Sequence, residues 1–313
     1  MKRQLLGVAA ILLSISTYAQ DNPLWMRYCA ISPDGTTIAF TYKGDIYTVP
    51  STGGRASQIT TNPAHDTKPI WSPDGKKIAF ASDRMGSMDI FEVNKEGGIP
   101  KRLTTHSGNE TPVAYKDAGH ILFLANIMPT AEDAQFPSGQ FQQVYEVNTE
   151  GGRPVLFSSM PMEDISINHT GNTLLYHDKK GYEDPWRKHH TSSITRDIWL
   201  CSLNGNRTFR KQTAFNGEDR TPVWASDDKS FYYLSEEKGS FNIFKRDIDG
   251  NTSKQITNHT KHPVRFLSAA SNGTLCYGYD GEIYTVKEGA IPQKVQISIV
   301  TDKNDKDLSL IHI

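Results

Sequence analysis

One unit, repeated with a period of roughly 40 to 57 residues, restricts this sequence to a repeat architecture. Its clearest copy contains Trp71-Ser72-Pro73-Asp74-Gly75, then the apolar run Ile78-Ala79-Phe80, then Asp89-Ile90-Phe91. Ser-Pro-Asp-Gly is typical of a tight turn, because Pro fixes φ, Asp bonds its own backbone and Gly adopts a positive φ. Gly97-Gly98 predicts a second reversal before Arg102-Leu103-Thr104. Each unit therefore predicts four short strands.

The same order of turns and strands occurs six times along the chain. The first turns of the six units are Ser32-Pro33-Asp34-Gly35, Ser72-Pro73-Asp74-Gly75, Asp117-Ala118-Gly119, His169-Thr170-Gly171, Ser226-Asp227-Asp228 and Ser271-Asn272-Gly273. Small sheets of this kind bury their faces against their neighbours in a ring, which predicts an all-β fold, a six-bladed β-propeller of four-stranded blades. A β-sandwich without repeats is the weaker alternative.

The order of the strands also predicts how the ring closes. Every unit carries its own four strands, so we expect no circularly permuted closing blade. Side-chain packing between blades one and six should then close the ring. Cys29 and Cys276 lie in these two blades and would come side by side, where they could pair, although buried thiols are the default for three scattered cysteines.

The two ends of the chain carry signals of their own. Met1-Lys2-Arg3, the apolar stretch 5–15 and Thr17-Tyr18-Ala19 have the pattern of a signal peptide, which we expect over residues 1–19. The apolar stretch is shorter than the ~20 residues that span a bilayer. We therefore expect a periplasmic or secreted protein with no membrane insertion after signal cleavage.

Residues 23–300 form the predicted propeller, and residues 301–313 are expected to be a linker and a non-native end. The linker signal is the charged run 302–307. The last six residues, Leu308-Ser309-Leu310-Ile311-His312-Ile313, match one reading frame of a sequencing adapter. We therefore expect that the open reading frame was cut after Asp307 by the end of an assembled fragment.

The formal net charge of −1 gives no electrostatic pull toward nucleic acid, which is therefore not an expected partner. The sequence contains no Gly-x-Ser-x-Gly elbow, no His-Glu-x-x-His motif and no phosphate-binding loop before a helix. We accordingly assign no catalytic residue, no cofactor and no metal site.

The unit around Trp71-Ser72-Pro73-Asp74-Gly75 and Ser82-Asp83-Arg84 resembles the WD40-like PD40 repeat. That repeat occurs in Tol-system propellers, in prolyl-oligopeptidase-type enzymes and in tricorn-type proteases. The early start of the propeller at Pro23, the segment 217–222 and the segment 278–284 are similar to the tricorn family.

This resemblance implies a non-catalytic N-terminal propeller of a periplasmic serine peptidase. In that family a second propeller, a PDZ-like domain and the catalytic region follow, so the propeller would gate or channel peptides to domains missing from this chain. The implied partners are peptides and downstream domains of the same parent chain, with a homo-oligomer possible. The alternatives are a Tol-type binding module for envelope proteins and the propeller of a prolyl-oligopeptidase-type enzyme.

The first strand of each blade lines the axis of a propeller, which points to a set of candidate channel residues. Positions aligned with Thr67 are predicted to face inward, namely Arg27, Thr67, Glu163, Arg220 and Arg265. Arginines in a narrow ring could hold a peptide carboxylate. The alternative is that these charges pair with Asp66, Asp164 and Asp219 and keep a wet channel soluble.

Two long excursions, at 126–142 in blade three and 178–196 in blade four, are candidate docking loops. The second carries Trp186, His189 and His190. Adjacent histidines could bind a metal with His177 or His169, but a docking or structural insertion is the favoured interpretation.

Overall fold

The structure is a computed structural model of the 313-residue chain. It describes residues 23–127, 141–181, 186 and 194–300. Among these residues no helix is long and apolar enough to cross a membrane.

Six four-stranded antiparallel sheets follow one another along the chain, as the repeat predicts. Blade one contains β1 (Arg27–Ile31), β2 (Thr37–Tyr42), β3 (Asp45–Pro50) and β5 (Ser57–Gln58), with a short extra strand β4 (Gly54–Arg55) between the last two. Blade two contains β6 (Asp66–Trp71), β7 (Lys77–Ser82), β8 (Asp89–Asn94) and β9 (Lys101–Arg102). Blade three contains β10 (Thr111–Asp117), β11 (His120–Ala125), β12 (Gln143–Asn148) and β13 (Val155–Ser158).

The second half of the chain repeats this plan. Blade four contains β14 (Met162–Ile167), β15 (Thr173–Asp178), β16 (Ile198–Ser202) and β17 (Thr208–Lys211). Blade five contains β18 (Asp219–Trp224), β19 (Ser230–Ser235), β20 (Asn242–Asp247) and β21 (Ser253–Gln255). Blade six contains β22 (Arg265–Ala269), β23 (Leu275–Tyr279), β24 (Glu282–Val286) and β25 (Gln293–Lys294), after which comes β26 (Ile297–Ser298).

The turn residues of the repeat make the hydrogen bonds that their chemistry predicts. In blade two the hydroxyl of Ser72 donates to Asp74 Oδ1 at 2.7 Å, and the same carboxylate oxygen accepts the N–H of Lys76 at 3.1 Å. Gly75 closes the reversal with φ of +67°. The loop thus satisfies its own backbone, which lets a four-residue turn join the first two strands.

The core lies between the blades, where apolar side chains of neighbouring sheets meet. The tryptophan of the repeat adds a polar contact there: Trp71 Nε1 donates to the carbonyl of Ala30 in blade one at 2.9 Å. Trp224 makes the equivalent bond to Ser166 in blade four at 3.0 Å. Each buried indole N–H is thereby satisfied across a blade boundary, which fixes the register of one blade on the next.

The ring closes partly as predicted and partly by a contact that the repeat did not reveal. Side chains of blades one and six share one apolar cluster that includes Ile38, Cys29 and Cys276. In addition, β26 pairs in parallel with β4, with Ile297 opposite Gly54. This addition keeps the predicted order of strands, since no blade is circularly permuted.

The two cysteines at the closure are neighbours and free thiols. Both are buried, and the side chain of Cys29 also donates to the carbonyl of Phe266 at 3.5 Å. Burial, together with the hydrogen bond that its own S–H donates to the sulfur of Cys29, raises the pKa of the Cys276 thiol. A raised thiol pKa lowers the thiolate fraction, so the Cys276 sulfur packs as a small apolar group.

Candidate functional site: the central channel

A β-bulge interrupts the first strand of every blade. In five blades one residue of the bulge has a positive φ, in the left-handed region. The bulges fall at equivalent points of β1, β6, β10, β14, β18 and β22. The left-handed residues, with φ between +48° and +57°, are Tyr28, Lys68, Asp164, Thr221 and Phe266. Blade three has Pro112 at this position, and its ring holds φ negative.

This ring of bulges aims side chains at the axis of the propeller. Bulges redirect a side chain from the regular alternation of a strand, and non-glycine residues held at positive φ store strain that concentrates at functional sites. Each left-handed residue directly follows one of the five predicted channel residues. The five predicted residues therefore share one position on the inner strands, directly before the left-handed residue of the bulge.

The inner strands surround a central cavity of about 650 Å³. Residues of all six blades border it, among them Tyr28, Lys68, Thr111, Glu163, Arg220 and Arg265. Arg27 and Thr67 are not among the described residues that border the cavity, and Thr67 is buried. Lys68 takes the place of Thr67 on the wall, and burial lowers the pKa of its ammonium against the attraction of Asp164 and Glu163.

One aromatic side chain from the blade-four excursion contacts two of the predicted arginines. The guanidinium carbons of Arg27 and Arg265 both lie 5.0 Å from the ring centroid of Trp186. Arg265 Nη2 also donates to the carbonyl of Trp186 at 3.0 Å, and the indole contacts Phe266 edge to face at 6.0 Å. Guanidinium groups over an aromatic face attract it and hold it in place.

A second charge cluster on the wall centres on Glu163. Its carboxylate accepts from Lys179 Nζ at 2.8 Å and from His177 Nε2 at 3.3 Å, and Arg196 Nε lies 3.6 Å away. Burial acts to raise the pKa of Glu163, but the hydrogen bonds from His177 and Lys179 and the positive charge beside it hold that pKa well below its usual range. Glu163 therefore carries a negative charge inside the channel.

Arg220 is tied into the wall rather than extended into the cavity. Its Nη1 lies 3.5 Å from Glu218, which also pairs with Arg196 at 3.0 Å. The guanidinium covers the ring of Phe241 at 4.0 Å. Burial, more than the neighbouring arginines, lowers the pKa of Arg220 to about 10, against the attraction of Glu218.

Two of the three aspartates that were expected to pair with the channel charges have other hydrogen-bond partners in the structure. Asp66 binds Arg84 at 2.8 Å, and Asp164 accepts the hydroxyl of Thr221 at 2.7 Å. One partner of Arg220 is Glu218, which lies two residues before it, where the alignment of the repeats gave no signal. His177, Lys179 and Arg196 were also missed as wall residues, because they belong to the second strand and the excursion of blade four.

His189 and His190 lie outside the described residues. Of the two histidines considered with them, His177 binds Glu163, and His169 Nδ1 lies 2.6 Å from Asp228 Oδ1 at a turn of blade four. No cluster of three or more metal-ligating side chains occurs among the residues that the structure describes.

The sequence of residues 23–290 matches the family model of the tricorn protease N-terminal β-propeller domain. The chain belongs to this family. Its sequence is 25% identical over 281 residues to tricorn protease homolog 1 of Streptomyces coelicolor, covering 88% of this chain and 25% of that protein. The tricorn protease of Thermoplasma acidophilum is 24% identical over 299 residues, covering 92% of this chain and 27% of that protein.

Solved structures agree on the fold. The crystal structure of the tricorn protease superposes with a TM-score of 0.73 at 21% identity, covering 90% of this chain and 27% of that one. TolB from Acinetobacter baumannii gives 0.61 at 14% identity, covering 84% of this chain and 61% of that one. The tricorn propeller described here thus spans about a quarter of the length of the tricorn relatives it matches.

Proposed function

We propose that the central channel binds peptides and passes or gates them for a serine peptidase region of the same parent protein. The observation that carries this proposal is the cluster of Arg27, Arg265 and Trp186, of which Arg265 and Trp186 border a cavity of about 650 Å³ and Arg27 lies over the same indole ring. The cavity volume lies in the range of ligand-binding clefts.

The cluster offers the two contacts that a peptide end requires. Guanidinium groups bind a carboxylate through charge-assisted hydrogen bonds, and Arg27 and Arg265 are both only partly buried. The indole of Trp186 offers an apolar and aromatic surface for a side chain of the peptide. The negative charge of Glu163, in another part of the wall, would repel a carboxylate, which favours binding at the arginine cluster.

Binding of a labelled peptide, measured by fluorescence anisotropy, tests the proposal. A peptide with a free C-terminal carboxylate should bind the chain, and Arg265→Ala or Arg27→Ala should weaken binding roughly ten- to a hundred-fold, as expected for loss of a hydrogen bond to a charged group. Arg210→Ala is the matched control, because Arg210 lies on an outer strand and pairs with Asp249 at 2.8 Å.

Two outcomes would contradict the proposal in whole or in part. Equal affinities of the wild type, both channel variants and the control would show that the peptide binds elsewhere. An amidated peptide that binds as tightly as the free acid would remove the role of the carboxylate while leaving the channel itself as the site.

The link to a peptidase is part of the same proposal and rests on family membership. It is tested by reading the gene beyond the codon for Asp307, where a second propeller and a peptidase region are expected. A natural stop codon there would contradict it and would favour a free-standing binding module.

The proposed compartment is the periplasm or the cell exterior, supported by the signal-peptide pattern of residues 1–19. N-terminal sequencing of the protein made in its own cells should begin at Gln20. A mature protein that still begins at Met1 would rule the signal out.

A further inference from the structure

Blades two and five are built on the same local pattern. Their first strands, Asp66–Trp71 and Asp219–Trp224, have identical patterns of burial. In both, the aspartate pairs across the sheet with a serine, Asp66 with Ser82 and Asp219 with Ser235. The two blades can therefore be compared residue by residue.

In blade two an arginine neutralises the buried aspartate. Arg84 Nη2 lies 2.8 Å from both carboxylate oxygens of Asp66, and Arg84 Nε donates to Ser82 Oγ at 2.8 Å. The guanidinium also covers two aromatic rings, at 4.5 Å from the centroid of Phe91 and 5.4 Å from that of Phe80. A buried charge needs such a partner, because an unpaired one is costly.

In blade five the arginine is replaced by a glutamate. Ser82-Asp83-Arg84 corresponds to Ser235-Glu236-Glu237, and the backbone N–H of the third residue lies close to the serine hydroxyl in each case, at 3.4 Å and 3.2 Å. The following turn is also the same, with an N–H to C=O bond of 2.8 Å ending at a glycine in both blades. The backbone is conserved between the blades while the cation is exchanged for an anion.

The aromatic platform for a cation is retained in blade five. Tyr233 and Phe244 occupy the positions of Phe80 and Phe91, and each pair of rings has a centroid separation of 6.1 Å. Blade five thus keeps the buried carboxylate, the serine and the two rings that hold a guanidinium in blade two.

Beside Asp219 and Tyr233 lies a cavity of about 320 Å³, the blade-five cleft, which is bordered by Thr213, Phe215, Asp219, Tyr233, Glu237 and Arg246 among others. Asp219 is 1% exposed, and its Oδ1 has no hydrogen-bond partner among the described residues. Buried carboxylate oxygens are normally hydrogen-bonded. One that lacks a partner and borders a cavity can accept a hydrogen bond from a ligand.

The charges around the blade-five cleft favour a cation. Burial, more than the nearby charges of Asp197 and Glu237, raises the pKa of Asp219 to about 6, against hydrogen bonds from Ser235 and Thr213. Asp197 has its own cations, since Lys211 Nζ lies 2.9 Å from it and Lys180 also contacts it. Glu237 has Lys238 at 3.4 Å in solvent. The residues that border the cleft thus include two acidic side chains, Asp219 and Glu237, and one basic side chain, Arg246.

We propose that the blade-five cleft binds a guanidinium group, which takes the position that Arg84 fills in blade two. The group donates to Asp219 and lies against Tyr233, while Glu237 at the rim supplies a second carboxylate. Its source is either a small cation or an arginine side chain of a polypeptide. The site is separate from the central channel and does not depend on the proposed function of that channel.

Arg246 is the intramolecular competitor for this site. It borders the blade-five cleft, and its Nε has no hydrogen-bond partner in the described part of the chain. Blade two has Val93 at the equivalent place, where the register pairs it with Ile78 as Arg246 pairs with Phe231. Arg246→Val should therefore give this position the same residue as in blade two. It should also strengthen binding of an added guanidinium, because the competing side chain is gone.

Calorimetric titration of the whole chain with L-argininamide tests the proposal. L-citrullinamide is the matched control ligand, because it replaces the guanidinium with a neutral urea group of similar shape. Argininamide should bind at least ten-fold more tightly than citrullinamide, and Asp219→Asn should abolish this preference. Equal binding of the two ligands, or no binding of either to the wild type and to Arg246→Val, would overturn the proposal.

A second experiment supplies the cation from within the chain. Glu237→Arg recreates the arrangement of blade two, so it should raise the melting temperature by about 2–4 °C and eliminate argininamide binding. Glu96→Arg is the control with the same change of charge, at a site that is 72% exposed. A melting temperature of Glu237→Arg no higher than that of Glu96→Arg would contradict the assignment.

A capped peptide with one internal arginine separates the two sources. Binding as tight as that of argininamide would indicate an arginine of a polypeptide as the natural occupant. Much weaker binding of the peptide would indicate a small free cation, since the cleft would then be too narrow for a chain.

Discussion

Glu110 is a fully buried carboxyl at the entrance to the first strand of blade three, next to Asp89 and Arg102. Burial raises its pKa to about 7, with Asp89 adding to the effect and Thr104 and Arg102 opposing it. In the unfolded chain the group releases its proton near its ordinary pKa, so the fold loses stability as the pH rises from about 4.5 to about 7. Above about pH 7 the loss of folding stability caused by the buried charge is complete.

Glu110→Gln should remove this penalty. The free energy of unfolding of the variant minus that of the wild type should rise by about 2–3 kcal/mol between pH 4.5 and pH 7.5, because only the wild type carries the buried charge at the higher pH. Urea denaturation at both pH values measures it. Asp219 titrates in both proteins, so its contribution cancels when the two free energies of unfolding are subtracted. If the subtracted free energy stays constant with pH, Glu110 is not responsible for the loss of stability.

At the residue scale the sequence predicted positions better than partners. The alignment of Arg27, Glu163, Arg220 and Arg265 found the inner strands, because equivalent positions of a repeat occupy equivalent places in a ring. It could not find Glu218 or Trp186 as contacts of these arginines, since those contacts depend on side-chain direction and on an excursion outside the repeat. A comparison of Ser82-Asp83-Arg84 with Ser235-Glu236-Glu237 could have indicated the blade-five cleft.

The element that the repeat did not predict is the pair β4 and β26. Two residues of parallel pairing give too little sequence signal to be recognised. The contact is nevertheless specific, since a Cβ added to Gly53 would lie 2.6 Å from the carbonyl oxygen of Gln296. The close approach of these two backbones requires glycine there.

Gly53→Ala and Gly97→Ala form a matched pair for this contact. Both glycines end the same turn, with φ of +91° and +94°, so both variants should lose about 1 kcal/mol from the left-handed backbone. A Cβ at Gly97 would meet its nearest atom only at 3.6 Å. Gly53→Ala should therefore cost about 1–3 kcal/mol more, through displacement of β26. Urea unfolding compares the two variants, and equal losses would mean that β26 contributes little to closure.

At the scale of the whole molecule, six similar sheets form a ring whose blades differ in the side chains that they present to the channel. The left-handed bulge recurs in five blades and sets the inner wall, whereas the charges on that wall vary from blade to blade. The arginines of blades one and six meet at Trp186, and the acidic Glu163 lies in blade four. The ring is therefore chemically asymmetric, which is consistent with the proposed binding of a peptide in one orientation.

Photo-crosslinking of a peptide to the chain tests the central claim most directly. A peptide with a free carboxylate and a benzophenone side chain is irradiated with the protein, and the modified residues are mapped by mass spectrometry. We predict modification of residues on the cavity wall, such as Tyr28, Thr111 and Phe266, and its loss with excess unlabelled peptide. Modification confined to the outer strands, or unaffected by the competitor, would contradict the assignment of the channel as the peptide site.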